Sequence, residues 1–195
     1  MTYYKVLEGY DPNRGECDYD QFFYAMFTLA YLKKCKVIVE TGLGFGGSTR
    51  IWLEALSRLP NPQDRILHTF DLDEPVFHGT AEKIEALKFP AKWTLHILDS
   101  KKGGLYLNQS IDLLYLDSDH QYSTVMAELG TFEQWLKPDA VIMAHDACPA
   151  SEHASFTHGL GNPSDTYLAL RDWGEPKGYD VLLYTHPNGM TLLSR

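Results

Sequence analysis

Cysteine is scarce in this sequence, and no two cysteines lie close together. The chain of 195 residues has only three, at Cys17, Cys35 and Cys148. An odd count without a close pair does not provide a disulfide framework. The absence of a C-x-x-C motif argues against a thiolate zinc site. We therefore expect a protein of a reducing compartment, with the cytoplasm as the default.

Long apolar runs and an excess of positive charge are also missing. No stretch approaches the ~20 apolar residues that a membrane span needs, and residues 1–5 lack the basic start of a signal peptide. The net charge is −9, with 17 Lys and Arg against 26 Asp and Glu. This balance disfavours both nucleic acid and anionic lipid as partners. We expect a small-molecule partner, and the sequence leaves a homo-oligomer open.

Short β-branched runs alternate with helical patterns, which is typical of βαβ units and a parallel sheet. The patterns predict parallel strands at 36–40, 65–71, 93–98, 111–117 and 140–146, with helices at 18–34, 48–56, 80–87, 123–136 and 165–173. Two further strands, at 179–184 and 190–193, flank Pro187-Asn188-Gly189 and should form an antiparallel hairpin. We predict one Rossmann-like, doubly wound α/β domain over residues 1–195, with a mostly parallel seven-stranded sheet. It would have an N-terminal helical segment at 1–35 and a substrate-side loop at 147–165.

A glycine-rich turn, Glu40-Thr41-Gly42-Leu43-Gly44-Phe45-Gly46-Gly47, follows the first predicted strand and opens a helix. Such a turn lets the backbone approach a ligand closely, beside the N–H groups of the helix. A tight turn that needs positive φ would explain the glycines without a ligand. We interpret the turn as the binding site of a nucleoside-bearing cofactor, with candidate residues Glu40, Gly42, Gly44, Gly46 and Ser48.

Two details of the turn restrict the cofactor. Glu40 occupies a position that is usually apolar in a nicotinamide site, and its carboxylate would repel a pyrophosphate but suit an ammonium group. The turn is not followed by Gly-Lys-Ser/Thr, which excludes a Walker loop.

The segment Val39-Glu40-Thr41-Gly42-Leu43-Gly44-Phe45-Gly46-Gly47-Ser48 resembles the first motif of class I S-adenosylmethionine-dependent methyltransferases. A second segment, 111–122, resembles the Asp-Gly-Asp-His-x-Tyr segment of a bacterial O-methyltransferase family that includes macrolide-sugar methyltransferases. Lys137-Pro138 and Ala144-His145-Asp146 follow at that family's spacing. The resemblance covers about residues 20–146 and implies methyl transfer from S-adenosylmethionine to a hydroxyl of a small molecule. One departure is Pro138-Asp139-Ala140, where the family usually has Pro-Gly-Gly.

Acidic residues follow the second and third predicted strands. Asp71 ends the second strand, where a carboxylate can accept hydrogen bonds from both ribose hydroxyls, and the resemblance implies the same role. Asp73 and Glu74 are nearby alternatives, and a solvated acidic loop would need no ligand. The resemblance places Asp99 and Ser100 at the adenine side of the cofactor, although the same pair could simply form a turn.

A cluster of acidic residues and histidines follows the fourth and fifth strands. Neighbouring parallel strands bring such groups to one edge of the sheet, where α/β ligand sites lie. Oxygen-rich ligand sets favour Mg²⁺, Ca²⁺ or Mn²⁺ over zinc. The resemblance implies a divalent metal on Asp117, His145 and Asp146, with His120 as the general base. Asp117 is also a cofactor-binding candidate.

Simpler roles stay open for these residues. Asp117 could cap the following helix, His145 could be a core histidine, and Asp119 is best explained as a cap. In the loop after the fifth strand, His153 and His158 could contact substrate or be solvated.

Two other functions remain open at this level. A nicotinamide-dependent oxidoreductase would use a similar turn, but Glu40 and the G-x-G-x-G spacing count against it. A non-catalytic domain that binds S-adenosylmethionine or a partner would not need a metal. The Asp/His cluster favours the enzyme.

Overall fold

The computed structural model describes residues 20–72, 79–149, 163–184 and 189–195. Some sequence predictions fall outside the described residues. These are residues 1–19 of the predicted N-terminal helical segment, Asp73, Glu74, His153, His158, most of the loop at 147–165, and the turn residues Pro187 and Asn188.

The described ranges contain helices α1 (Asp20–Leu32), α2 (Gly47–Ser57), α3 (Thr80–Ala86), α4 (Tyr122–Phe132) and α5 (Pro163–Gly174). The strands are β1 (Val37–Thr41), β2 (Ile66–Asp71), β3 (Lys92–Ile97), β4 (Ile111–Leu116), β5 (Leu136–His145), β6 (Asp180–Tyr184) and β7 (Met190–Ser194). Short 3-10 helices occupy Pro62–Asp64, Ser100–Tyr106, Glu133–Trp135 and Glu175–Lys177. No helix in these ranges is long and apolar enough to cross a membrane.

The strands form one sheet in the order β3-β2-β1-β4-β5-β7-β6. Strands β1 to β5 pair in parallel, and β7 runs antiparallel to both β5 and β6. This confirms the predicted doubly wound, mostly parallel seven-stranded sheet with its antiparallel hairpin. The strand order reverses between β1 and β4, and ligands of open α/β sheets bind in the crevice at such a point.

Helices cover both faces of the sheet, which is why β1 and β4 are buried along their whole length. One core includes Phe22 and Met26 of α1 together with Trp52 of α2. The opposite core includes Phe132 of α4 and Trp173 of α5. The two cores fix the central strands, whose carboxyl ends carry the candidate site.

Strand β5 begins earlier than the sequence pattern predicts. Helix α4 ends at Phe132, and β5 then runs from Leu136 through Pro138, whereas we expected the helix to reach 136 and the strand to begin at 140. Proline has no N–H for a sheet ladder, and it is tolerated where pairing is irregular. The pairing with β4 shifts between Ile111 and Leu113, which accommodates Pro138.

Candidate active site

The glycine turn combines one crowded position with one open position. Gly42, Gly44 and Gly46 all have positive φ, at 84°, 47° and 74°. A Cβ on Gly42 would lie only 2.0 Å from the carbonyl oxygen of Asp117, so glycine is required where the ends of β1 and β4 meet. A Cβ on Gly44 would meet nothing within 4 Å. The turn therefore leaves space for a ligand on the Gly44 side.

Glu40 lies fully buried beneath the turn. Its Oε1 accepts a hydrogen bond from Ser48 Oγ at 2.5 Å, and its Oε2 accepts from Thr49 Oγ1 at 2.7 Å and Thr69 Oγ1 at 2.9 Å. Burial raises the pKa of Glu40 to about 7, although the three hydroxyls oppose the shift. The side chains of Glu40 and Ser48 thus bond to each other and tie β1 to the start of α2.

Asp71 joins the turn to the end of β2. Its Oδ2 accepts a hydrogen bond from the backbone N–H of Leu43 at 2.8 Å. The backbone N–H of Gly42 donates to the carbonyl of Phe70 at 2.8 Å. Asp71, which we predicted to bind ribose, therefore lies directly beside the turn.

Asp99 and Ser100 lie at the start of the 3-10 helix Ser100–Tyr106. The Asp99 side chain accepts a hydrogen bond from the backbone N–H of Lys101 at 3.0 Å, so this carboxylate caps the short helix. The Ser100 hydroxyl points inward and donates to Glu128 Oε1 at 2.5 Å. The geometry is compatible with both roles left open for this pair, a simple turn and the adenine side of a cofactor site.

We did not predict from the sequence that Glu128 would lie near the candidate site. It lies on α4 and is fully buried. A signal was present, because Glu128 follows Val125 by three residues and precedes Phe132 by four, which places it on the inner face of the helix. Burial raises its pKa to about 7, and the hydroxyls of Ser100, Ser118 and Thr41 oppose the shift.

The histidines and carboxylates after β4 and β5 come together at one edge of the sheet. His120 Nε2 lies 3.7 Å from Asp117 Oδ1 and 3.6 Å from Asp146 Oδ2. His145 Nδ1 lies 3.5 Å from Asp117 Oδ1 and 3.2 Å from Asp146 Oδ1. The structure thus brings together all four residues that the sequence assigned to the metal and the base.

The backbone at this cluster is strained. His120 and Asp146 have φ values of 57° and 46°, and such a conformation costs a non-glycine residue about 1–3 kcal/mol. The carbonyl of His120 accepts a hydrogen bond from Thr166 Oγ1 of α5 at 3.3 Å. Strain held in place by surrounding structure is common at functional sites, and here it aims both side chains into the cluster.

Two aromatic side chains, those of Tyr115 and Phe22, contact the cluster. Tyr115 Oη donates to Asp117 Oδ2 at 3.3 Å. The ring of Phe22 packs edge-on against the ring of His145, with centroids 5.6 Å apart. His145 is only 3% exposed, so it is both a member of the cluster and part of the core.

The donor types of this cluster suit a hard divalent cation, but its arrangement does not form a ligand set. Across the described ranges, no group of three or more His, Cys, Asp or Glu side chains could hold a metal ion as arranged. The imidazoles and carboxylates instead lie against one another.

A family model for a methyltransferase domain matches residues 39–147, which is more than half of the chain. The chain belongs to this family. The matched segment begins in β1 and ends just after β5, so it contains the glycine turn and the Asp/His cluster. No sequence among the curated proteins matches the methyltransferase.

Solved structures of low sequence identity share the fold of this methyltransferase. A Staphylococcus aureus protein assigned as a caffeoyl-CoA O-methyltransferase has a TM-score of 0.73 at 11% identity, covering 100% of this chain and 93% of that one. The SAH-bound methyltransferase of Podospora anserina has a TM-score of 0.67 at 15% identity, with 98% and 85% covered. The O-methyltransferase TomG of Streptomyces achromogenes, in complex with SAM, has a TM-score of 0.67 at 16% identity, with 89% and 79% covered.

Asp119 supports the start of α4 in the methyltransferase, as the sequence suggested, but it is not the N-cap residue. The N-cap is Gln121, whose side chain makes no capping bond. Asp119 Oδ1 accepts from the backbone N–H of Gln121 at 3.1 Å, and Oδ2 accepts from Thr124 Oγ1 at 3.0 Å. The carboxylate therefore holds the segment between β4 and α4, which carries His120.

Proposed function

We propose that this methyltransferase transfers the methyl group of S-adenosylmethionine to a hydroxyl of a small molecule. The observation that carries the proposal is the position of the His120 imidazole, between the carboxylates of Asp117 and Asp146 and close to the glycine turn. The turn and the cluster are in contact, because Gly42 packs directly on the backbone of Asp117. TomG was solved in complex with SAM, and the Podospora anserina protein is SAH-bound, which supports this cofactor.

The residues around the turn fit the cofactor. In this proposal its amino acid part lies along the open side of Gly44, with Glu40 supporting the turn from beneath. Asp71 would accept hydrogen bonds from the ribose hydroxyls, and Asp99 and Ser100 would flank the adenine. When bound, the cofactor supplies a methyl group attached to a positively charged sulfur. Gly46 and Ser48 start α2 and set the position of its N–H groups.

His120 acts as the general base in this proposal. Its Nε2 would accept the proton of the acceptor hydroxyl as the oxygen bonds to the methyl carbon and the carbon–sulfur bond breaks, which would leave S-adenosylhomocysteine. Asp117 and Asp146 stabilise the imidazolium that results, since both carboxylates lie within 3.7 Å of Nε2. A base placed in this way contributes about 10²- to 10⁴-fold to a rate.

Binding of a divalent cation by Asp117, His145 and Asp146 remains a prediction, because their donor types suit such an ion although their arrangement in the structure does not form a ligand set. Titration of Mg²⁺ or Mn²⁺ into the protein loaded with S-adenosylhomocysteine, followed by calorimetry, tests it. A saturable heat that disappears in Asp146→Asn supports the metal assignment. The absence of a saturable heat, together with activity that survives a chelator, contradicts it.

The cofactor assignment is tested by calorimetry with S-adenosylhomocysteine. The wild type should bind it, and Asp71→Ala should bind at least tenfold more weakly, because each lost hydrogen bond to a hydroxyl costs about 1 kcal/mol or more. NAD serves as the control ligand and should not bind. Binding of NAD in place of S-adenosylhomocysteine would favour the nicotinamide-dependent alternative.

The base is tested with His120→Asn, since asparagine tolerates the left-handed backbone at this position. Methyl transfer from labelled S-adenosylmethionine is measured on a panel of catechol and sugar acceptors. We expect kcat to fall at least 100-fold while the affinity for S-adenosylhomocysteine stays within about twofold. An unchanged kcat would remove His120 from the mechanism. Cofactor binding without turnover of any acceptor would favour the non-catalytic alternative.

A further inference from the structure

Glu128 is a buried carboxyl that the proposed chemistry does not use. It lies on α4 with no exposure to solvent, and a carboxyl in such a place destabilises a fold unless it forms compensating hydrogen bonds. Its Oε1 accepts from Ser100 Oγ at 2.5 Å. Its Oε2 is also buried and makes no hydrogen bond within the described residues, although the nearby hydroxyls of Ser118 and Thr41 oppose the rise in its pKa.

The residues near Glu128 come from three segments that border the cofactor site. Thr41 directly precedes Gly42 in the glycine turn. Ser100 follows Asp99 in the segment after β3, and Ser118 follows Asp117 in the segment after β4. The first and third segments are joined directly, because the backbone N–H of Asp117 donates to the carbonyl of Thr41 at 3.0 Å. The segment after β3 is attached to α4 through the hydrogen bond between Ser100 and Glu128.

The 3-10 helix that begins at Ser100 packs closely on α4. A Cβ on Gly104 would lie 2.1 Å from the carbonyl oxygen of Thr131, and a Cβ on Gly103 would lie 2.5 Å from Phe132. Trp135 Nε1 donates to the carbonyl of Gly104 at 2.8 Å. These contacts hold the middle of the short helix against the end of α4 and the 3-10 helix that follows it. At its amino end, the bond between Ser100 and Glu128 makes the corresponding attachment.

We infer that Glu128 is a positioning residue, which fixes the segment Asp99–Ser100 against α4 and thereby sets the adenine side of the cofactor pocket. The inference rests on the proposed function, because it assumes that adenine lies beside Asp99. In this arrangement the Ser100 hydroxyl donates its hydrogen bond to Glu128 and not to the cofactor. Ser100 contributes to the pocket through its backbone, whose position this hydrogen bond fixes. Glu128 acts through Ser100 and touches neither the cofactor nor the acceptor.

The test compares Glu128→Leu, Glu128→Gln and Ser100→Ala by calorimetry, with S-adenosylhomocysteine and with adenosine as probes. Leucine fills the space but accepts no hydrogen bond, so we expect about tenfold weaker binding of both probes. Glutamine keeps an acceptor for Ser100, and its affinities should stay within about threefold of the wild type. Ser100→Ala removes the same bond from the other side and should match Glu128→Leu.

The double variant Ser100→Ala/Glu128→Leu should bind no more weakly than either single variant, because all three lack the same bond. The control is Asp112→Asn, a change at another buried carboxyl, which accepts from the backbone N–H groups of Lys36 and Val37 at the opposite edge of the sheet. It should lower the melting temperature and leave both affinities unchanged.

The outcomes separate the inference from the proposed function. If the wild type binds neither probe, the proposed function fails and the inference fails with it. If the wild type binds and the folded variants bind equally well, Glu128 has no positioning role and the proposed function stands. A loss for S-adenosylhomocysteine without a loss for adenosine would place the effect away from the adenine and would also overturn the inference. Should Glu128→Leu not fold, Ser100→Ala decides alone.

Discussion

Replacing Gly42 by alanine should disrupt the contact between the glycine turn and the segment that carries Asp117. Alanine in a left-handed conformation costs about 1–2 kcal/mol. The new Cβ would also lie 2.0 Å from the Asp117 carbonyl oxygen, so one of the two backbones must move by more than about 1 Å. Overpacking of this kind costs about 1–3 kcal/mol. We therefore expect Gly42→Ala to lower the free energy of unfolding by about 3 kcal/mol.

Gly44→Ala is the matched control. Gly44 has a positive φ of 47°, but its Cβ would meet nothing within 4 Å. Only the conformational cost applies, so we expect a loss of about 1 kcal/mol. In a chain of this size each kcal/mol shifts the melting temperature by about 2–4 °C. Calorimetric melting should thus show a fall of about 10 °C for Gly42→Ala and about 3 °C for Gly44→Ala.

A difference of less than about 1 kcal/mol between the two variants would refute this reasoning, because it would mean that the approach of β1 to β4 is not as close as described. The activity of the folded fraction gives a second check. Gly42→Ala should reduce methyl transfer strongly even below its melting temperature, since a shift of about 1 Å in a catalytic group can cost 100-fold in rate.

Three further predictions concern stability. Burial raises the pKa of Glu40 from 4.5 to about 7, so its contribution to stability is present below pH 4.5 and is lost as the pH rises through 7. Glu40→Gln should reduce the change in the free energy of unfolding over this pH range by about 2–3 kcal/mol. An equal change in the free energy of unfolding of the two proteins between pH 5 and 8 would contradict this prediction. Burial and the neighbouring His96 lower the pKa of His68 from 6.5 to about 4. The folded state therefore loses stability as the pH falls from 6.5 towards 4. His68→Leu should weaken this pH dependence of the free energy of unfolding, measured by urea denaturation at each pH. Asp119→Ala removes two hydrogen bonds at the start of α4 and should cost about 1–2 kcal/mol, measured by chemical denaturation, whereas a loss as large in Asp119→Asn would argue against the bonds as the cause.

The sheet could be predicted because its strands carry strong local signals. The run at β1 is continuously apolar up to Glu40, and the run at β4 is apolar on both sides of Asp112, as expected for strands buried on both faces. Parallel topology then determines which strand ends share an edge. For this reason the proximity of Asp117, His120, His145 and Asp146 followed from sequence position alone.

Other features could not be predicted, because they depend on three-dimensional contacts. The start of β5 depends on a pairing irregularity opposite Ile111, which leaves no trace in hydrophobic periodicity. The sequence suggested that Glu40 faces an ammonium group, but it could not show that three hydroxyls surround the carboxyl. The bond between Ser100 and Glu128 joins residues far apart in the chain, so neither residue signals the other.

The order of the strands also has a consequence for how the protein is made. Strand β7 lies between β5 and β6, yet it is synthesised after both of them. Until it forms, β5 has an unpaired edge beside His145, and β6 lacks the partner that joins it to the sheet. An unpaired strand edge is a template for pairing with other chains. A nascent or truncated chain without β7 would therefore be prone to aggregation, and the end of β5 that carries His145 would be paired only late in biosynthesis.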